Sequence, residues 1–231
     1  VKNKLFYFVD FDGQRNTSPN VTFLQVAPPA DADSQAAARE LQPALAPYVQ
    51  KLDNNVALFK TDWEINGSQR LSVRYNLNRF KGANFENGGP ASAAEHTGNS
   101  NVTTDNVAVQ HTRILSSSSV LESRFNLFRD DEPGLANSER PEAVIRQNGI
   151  TVMSTGRNSF SPRYTNLKSY QWLESFSKVA GSHTFKAGLD MNFQRIANFF
   201  PGNFGGSYTF NSYADFAARR AFSFTQGFAG A

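Results

Sequence analysis

Cysteine is absent from the chain, methionine occurs twice and histidine three times. Without a thiol there is no disulfide framework and no thiolate metal site. Long apolar runs are missing too. No stretch approaches the roughly 18 residues that a membrane helix requires, and the mean hydropathy is negative. Helical insertion into a membrane is therefore excluded. Charge of one sign is also scarce: the formal net charge is +3, and lysine and arginine are spread along the chain, which argues against a nucleic-acid partner. A β-barrel survives these exclusions, because its strands alternate lipid-facing with lumen-facing residues and average out as polar. An aromatic content of 13% with overall polarity is what such averaging would give, and many soluble β proteins share it.

Period-two alternation is the strongest positive signal. Over Arg70 to Phe80, Leu71, Val73, Tyr75 and Leu77 share one face, against Ser72, Arg74, Asn76 and Asn78. Over Thr184 to Gln194, Phe185, Ala187, Leu189, Met191 and Phe193 oppose Thr184, Lys186, Asp190, Asn192 and Gln194. Each stripe is about the 9–11 residues long that a tilted strand needs to cross a bilayer. Lys4 to Asp12, Val56 to Asn66, Leu121 to Leu127 and Tyr170 to Phe176 alternate less cleanly, and Asn106 to Ile114 carries the weakest strand pattern. The expected fold is all-β: an antiparallel transmembrane barrel portion of about seven or eight meandering strands, forming an open sheet.

The connections alternate between short and long. Short ones fall at Asn66-Gly67-Ser68, at Ser116 to Ser119 and around Ala180-Gly181; long ones cover 13–55, 81–104, 130–165 and 196–221. Outer-membrane barrels have this rhythm, with short periplasmic turns and long outer loops. Ile65 and Leu71 must share a face, which predicts an odd, three-residue loop with Gly67 at positive φ. Phe176 and Phe185 predict an even loop. One helix is expected over Ser34 to Leu52, N-capped by Ser34, broken or kinked by Pro43 and Pro47 and lying outside the membrane. The chain opens on Val1 to Lys4 without a leader and ends on Gly227 to Ala231 without a closing element. These ends predict that residues 1–231 are one partial barrel domain cut at both termini. Such a portion would expose two sheet edges and aggregate when isolated.

Several segments, in order, resemble a known family. Lys2-Asn3-Lys4-Leu5-Phe6-Tyr7-Phe8 with Asp10-Phe11-Asp12-Gly13 is similar to the first barrel strand of Oar-like TonB-dependent receptors. Asp62-Trp63-Glu64-Ile65 with Arg70-Leu71-Ser72-Val73-Arg74-Tyr75 resembles the next hairpin. Gly181-Ser182-His183-Thr184-Phe185-Lys186-Ala187-Gly188-Leu189-Asp190 resembles a recurring strand, and Asn198 to Gly206 and Tyr213-Ala214-Asp215-Phe216 continue the likeness. The resemblance implies a barrel of about 22 strands, an N-terminal plug and often a carboxypeptidase-regulatory-like domain before it. It implies a ligand bound at the extracellular loops and admitted to the periplasm when TonB pulls on the plug. Outer-membrane lipid, the plug, TonB and an unidentified ligand are the implied partners; no cofactor, metal or catalytic residue is.

Candidate site residues follow from the alternation. Arg74, Asn76, Asn78, Asp190, Asn192 and Gln194 are expected to face the lumen, either hydrating it, contacting the plug or lining the substrate path. Trp63, Tyr75, Tyr170 and Trp172 are expected to anchor the membrane interface. His96, His111 and His183 lack convergent partners and are read as structural or solvent-exposed. Asp130-Asp131-Glu132 is read as a loop rim, and Gly202 to Gly206 as loop packing with ligand contact as the alternative. Two other readings stand beside transport: a small self-contained barrel or adhesin, and a soluble β-rich carbohydrate-binding module. The last would hide both apolar stripes under a second layer.

Overall fold

The computed structural model describes residues 3–228, so the reading of the two termini as cut ends lies outside the described residues. Its main body is a seven-stranded antiparallel sheet in the order β1-β2-β3-β4-β5-β8-β9. These strands are β1 (Leu5–Asn20), β2 (Tyr48–Asn66), β3 (Gln69–Glu86), β4 (Gly98–Ser116), β5 (Ser119–Ala136), β8 (Arg163–Ala180) and β9 (His183–Phe199). Between β5 and β8 the chain forms a hairpin, β6 (Glu142–Gln147) and β7 (Ile150–Thr155). The sheet is open, with β1 and β9 each paired on one side only.

The strands are 16 to 19 residues long, well beyond what a bilayer requires. Each overruns its apolar stripe toward the long connections: β3 carries Leu71 to Leu77 and then continues to Glu86. The segment around Asn106 to Ile114, weakest in pattern, forms β4, one of the longest strands.

Register decides which side chains share a face, since directly paired residues point the same way. One row runs Tyr7, Thr61, Val73, Val109, Phe125, Trp172, Met191; the next runs Val9, Phe59, Tyr75, Val107, Leu127, Tyr170, Phe193. This is the apolar face, and no second layer among the described residues covers it. Phe185 is 60% exposed, Leu189 50% and Phe193 63%. The apolar band also drifts along the strands, from Leu5–Phe11 on β1 to Phe185–Phe193 on β9. Phe11 shares its row with Arg195, while Phe185 pairs with Lys178. A band that stays level while the register slides is what the stagger of tilted barrel strands produces.

The short turns differ in detail from the sequence reading. Asn66 pairs with Gln69 across Gly67-Ser68, and the odd residue is absorbed by a bulge between Glu64 and Asn66. Gly67 is not at positive φ; Asn66 Oδ1 instead accepts from the Ser68 backbone N–H at 2.9 Å, an Asx turn. Ser116 and Ser119 repeat the device, with a bulge between Ile114 and Ser116. The even loop before β9 is Gly181-Ser182, and Gly181 takes φ +63, as a two-residue hairpin turn requires.

The long connections are shorter than expected and fold together into a cap. It contains β6 and β7, β10 (Ser207–Phe210) and β11 (Ser223–Thr225) in a second sheet, with α1 (Ala32–Glu40) and α2 (Tyr213–Ala217). The expected helix over Ser34 to Leu52 is corrected at both ends. Asp31, not Ser34, is the N-cap, its carboxylate accepting from the Ser34 N–H at 2.8 Å. That contact holds the Asp31 carboxyl below its ordinary pKa. The helix ends at Glu40, before Pro43 and Pro47, and residues 48–52 open β2.

Among the described residues, every buried hydrophobic side chain lies at this end of the molecule. Ile145, Val152, Met153 and Tyr213 are fully buried, packed with Phe210 and Phe216, whose rings meet edge-on at 5.3 Å. Burying each such side chain contributes about 1.5–3 kcal/mol. Backbone bonds stitch the other connections to β7: Gln25 N–H donates to Val152, Ala93 N–H to Ser154, and Ser154 N–H to Ala91.

Candidate functional site

The face opposite the apolar one gathers all six residues expected to line a lumen. Arg74 shares a row with Lys60, Ala108, Asn126, Gln171 and Asn192. Asn76 lies with Asn106, Ser169 and Gln194, Asn78 with Thr104 and Asp130, and Asp190 with Ser72, Gln110 and Arg124. Amides and hydroxyls ladder across these strands. Asn106 Nδ2 donates to Asn126 Oδ1 at 2.8 Å, Ser169 Oγ to Asn192 Oδ1 at 3.0 Å, and Gln171 Nε2 to Asp190 Oδ1 at 3.0 Å. Asn54 and Asn78 keep buried amide oxygens with no partner among the described residues.

A depression of about 480 Å³ opens on this face, lined among others by Lys60, Arg74, Gln110, Arg124, Asn126 and Gln171. Lys60 is held by Asp62 at 2.7 Å and Arg124 touches Glu122 at 3.5 Å. Arg74 is in no ion pair among the described residues, so a positive charge is left facing the depression. The face is not uniformly polar: Phe6 and Phe8 lie on it at β1, and Leu58, Phe128 and Leu173 interrupt it further along.

Above the depression, toward the cap, Arg163 of β8 reaches Glu86 at the end of β3, although two strands lie between them. Gly134 makes this possible, because a Cβ there would stand 2.7 Å from the Arg163 guanidinium. The ion pair thus bridges the mouth of the polar face beneath the cap.

The remaining candidates separate. Trp63, Tyr75, Tyr170 and Trp172 all fall on the apolar face, and the Tyr75 hydroxyl donates to Asp105 at 2.5 Å. His96 is buried in the cap, its Nε2 3.6 Å from Glu142, and burial pushes its pKa down despite that carboxylate. His111 stands on the apolar face beside Gln69 at 3.3 Å, and His183 opens β9 against Phe185. Asp130, Asp131 and Glu132 belong to β5 rather than to a loop, so Asp130 and Glu132 share one face while Asp131 points to the other, and the three do not converge. Among the described residues no group of three or more His, Asp or Glu is placed to hold a metal ion. Gly202 to Gly206 packs the cap: Gly202 and Gly206 take φ +60 and +80, and the Gly206 carbonyl accepts from the Glu142 N–H at 2.9 Å. The β6–β7 hairpin was missed in the sequence, yet its signal is there. Asn148-Gly149, both at positive φ, joins two short alternating runs.

Residues 35–230 match the family model described as outer membrane beta barrel domain. The chain belongs to this outer-membrane β-barrel family. It is a protein of the bacterial outer membrane. The barrel fold is similar to that of the outer membrane transporter YddB from Escherichia coli, with a TM-score of 0.58 and 8% identity. That likeness covers 91% of this chain and 26% of the transporter, so the barrel segment spans about a quarter of its length. At such identity the likeness concerns the fold alone. No curated protein matches the sequence. The soluble carbohydrate-binding reading fails with the outer-membrane location, and among the described residues nothing covers the stripes it needed to bury.

Proposed function

We propose that the chain is a stretch of the barrel wall of an Oar-like TonB-dependent transporter, with its cap on the extracellular side. The observation that carries this reading is the pair of unpaired edges, β1 and β9, on a sheet that lies in a membrane. Unsatisfied backbone groups are not tolerated in hydrocarbon, so strands beyond these must close the barrel. A self-contained seven-strand barrel would instead pair β1 with β9. A closed barrel of the larger size encloses a lumen that side chains alone do not fill. The exposed Phe6 and Phe8 on the inner face of β1 suit contact with a plug, and the Arg74 depression with its uncommitted amides suits passage of a polar or anionic ligand. In this reading the cap takes the ligand, TonB acts on the plug, and no covalent step occurs. A carboxypeptidase-regulatory-like domain ahead of the plug belongs to the same proposal.

The test uses the full-length protein purified in detergent. Calorimetry against the purified C-terminal domain of TonB should give saturable binding that is lost when the segment preceding the plug is deleted. No binding, in protein whose heat-modifiable migration shows a folded barrel, would remove the TonB reading.

A further inference from the structure

Directly on the cap side of the lipid-facing row Leu127, Tyr170, Phe193 stands a row of three cations, Arg129, Lys168 and Arg195, on adjacent strands β5, β8 and β9. We propose that these three side chains bind the phosphate groups of an anionic glycolipid in the outer leaflet of the membrane. Neighbouring strands lie about 4.8 Å apart, which sets three like charges within roughly 10 Å of one another. All three are exposed and none is in an ion pair among the described residues. Like charges held this close on one surface repel, so the arrangement calls for an external anion.

The acids nearby supply it only in part, Asp105 standing directly across from Arg129. Asp105, next in the row, accepts from Arg79 at 2.6 Å and from the Tyr75 hydroxyl. Asp131 faces outward one row higher, between Thr103 and Asn166. Four cations thus meet two carboxylates, and the site keeps a positive excess. A depression of about 340 Å³ lies beside Arg129 and Lys168, lined also by Asn166, Leu167, Asp130 and Asp131, with Arg195 outside it.

Position selects a lipid over other anions. The row lies two residues, about 7 Å along a tilted strand, beyond the row Leu127, Tyr170, Phe193, and short of the stacked Tyr164–Phe199 pair on the same face. That is the depth of lipid headgroups, and long basic side chains snorkel to it. Arginine forms paired, charge-assisted hydrogen bonds with phosphate oxygens, and clustered basic residues at a membrane surface recruit anionic lipid. At the opposite end of the band the outward cations Arg113 and Lys178 fall on separate rows and form no such cluster. The inference rests on outer-membrane location, on register and on the proposed extracellular placement of the cap, but not on the protein being a transporter.

The experiment takes full-length protein, exchanges it into nanodiscs containing bis-phosphorylated lipid A, and counts retained lipid by native mass spectrometry. Each Arg→Gln or Lys→Gln change at Arg129, Lys168 or Arg195 should weaken retention about fivefold. Arg129→Lys with Arg195→Lys should preserve most of it, and Arg113→Gln with Lys178→Gln should leave it unchanged. Dephosphorylated lipid A should not be retained. Equal retention by the folded triple Gln variant, or of the dephosphorylated lipid, overturns the proposal. Displacement by equimolar inorganic phosphate also overturns it, by assigning the site to a soluble anion. Should the triple variant fail to fold, Lys168→Gln alone gives the same reading.

Discussion

Ser123 donates its hydroxyl hydrogen to the Glu174 carboxylate at 2.8 Å across the β5–β8 pair, on the lipid-facing side of the sheet. The Trp172 indole N–H adds a second donor at 3.3 Å. Glu174 lies in the band between Trp172 and Phe176, where an ionisable side chain is costly unless paired. Hydrogen bonds to a charged group contribute about 1.5–3 kcal/mol. Ser123→Ala should therefore lower barrel stability by about that amount, and should cost almost nothing in a Glu174→Leu background. Urea titration of the full-length protein refolded in phosphatidylcholine vesicles measures both; equal costs in the two backgrounds would refute the coupling.

The assignment of faces makes a sharper demand. Val73 points to lipid and Ser72, its neighbour, points inward. Val73→Arg should destabilise the barrel by about 2–4 kcal/mol, as arginine does near a bilayer midplane. Ser72→Arg, beside Asp62, should change stability by less than about 0.5 kcal/mol. The same titration compares them, and similar losses would mean the faces are misassigned.

The cap should unfold separately from the wall. Tyr213 is fully buried and its hydroxyl donates to the Val26 carbonyl at 2.5 Å. Tyr213→Ala removes a ring from the cap core, a change that costs about 3–5 kcal/mol for large aromatics. Limited proteolysis should then cut within 21–47 and 137–162, while heat-modifiable migration of the barrel persists. A variant whose barrel fails together with its cap would show the two to be one cooperative unit.

Acid should loosen the cap through His96. Burial holds its folded-state pKa below the ordinary 6.5, so the unfolded chain binds the proton more readily. Stability is therefore fully present above about pH 6.5 and falls as the pH drops from there toward the lower folded value. Hydrogen exchange at Ile145 and Val152 should quicken over that window, and His96→Gln should flatten the response. Exchange that slows with acid would reverse the sign.

Strand positions were legible because the lipid side of a barrel strand alternates with period two, as Leu71 to Leu77 and Phe185 to Phe193 do. The six residues expected to face a lumen follow from the same alternation, and the structure places them on one face. The bulges before Asn66 and Ser116 were not legible, since a bulge and a longer loop satisfy the same parity. The cap as a unit escaped because its short elements, of which only α1 and the Asn148-Gly149 turn leave a local signal, gain their meaning by packing against one another. Its core joins Val26, Ile145, Val152 and Tyr213 from three distant connections.

The pattern of side chains by itself determined that this chain makes long antiparallel strands with one apolar and one polar face. The alternation is local, so each strand declares its faces alone. Only the tertiary structure decided what depends on register between strands: the drift of the lipid band, the inward depression around Arg74 and the outward row Arg129, Lys168, Arg195. Those rows arise from hydrogen-bond pairing among residues tens of positions apart, and a slip of one residue would turn every one of them to the other face.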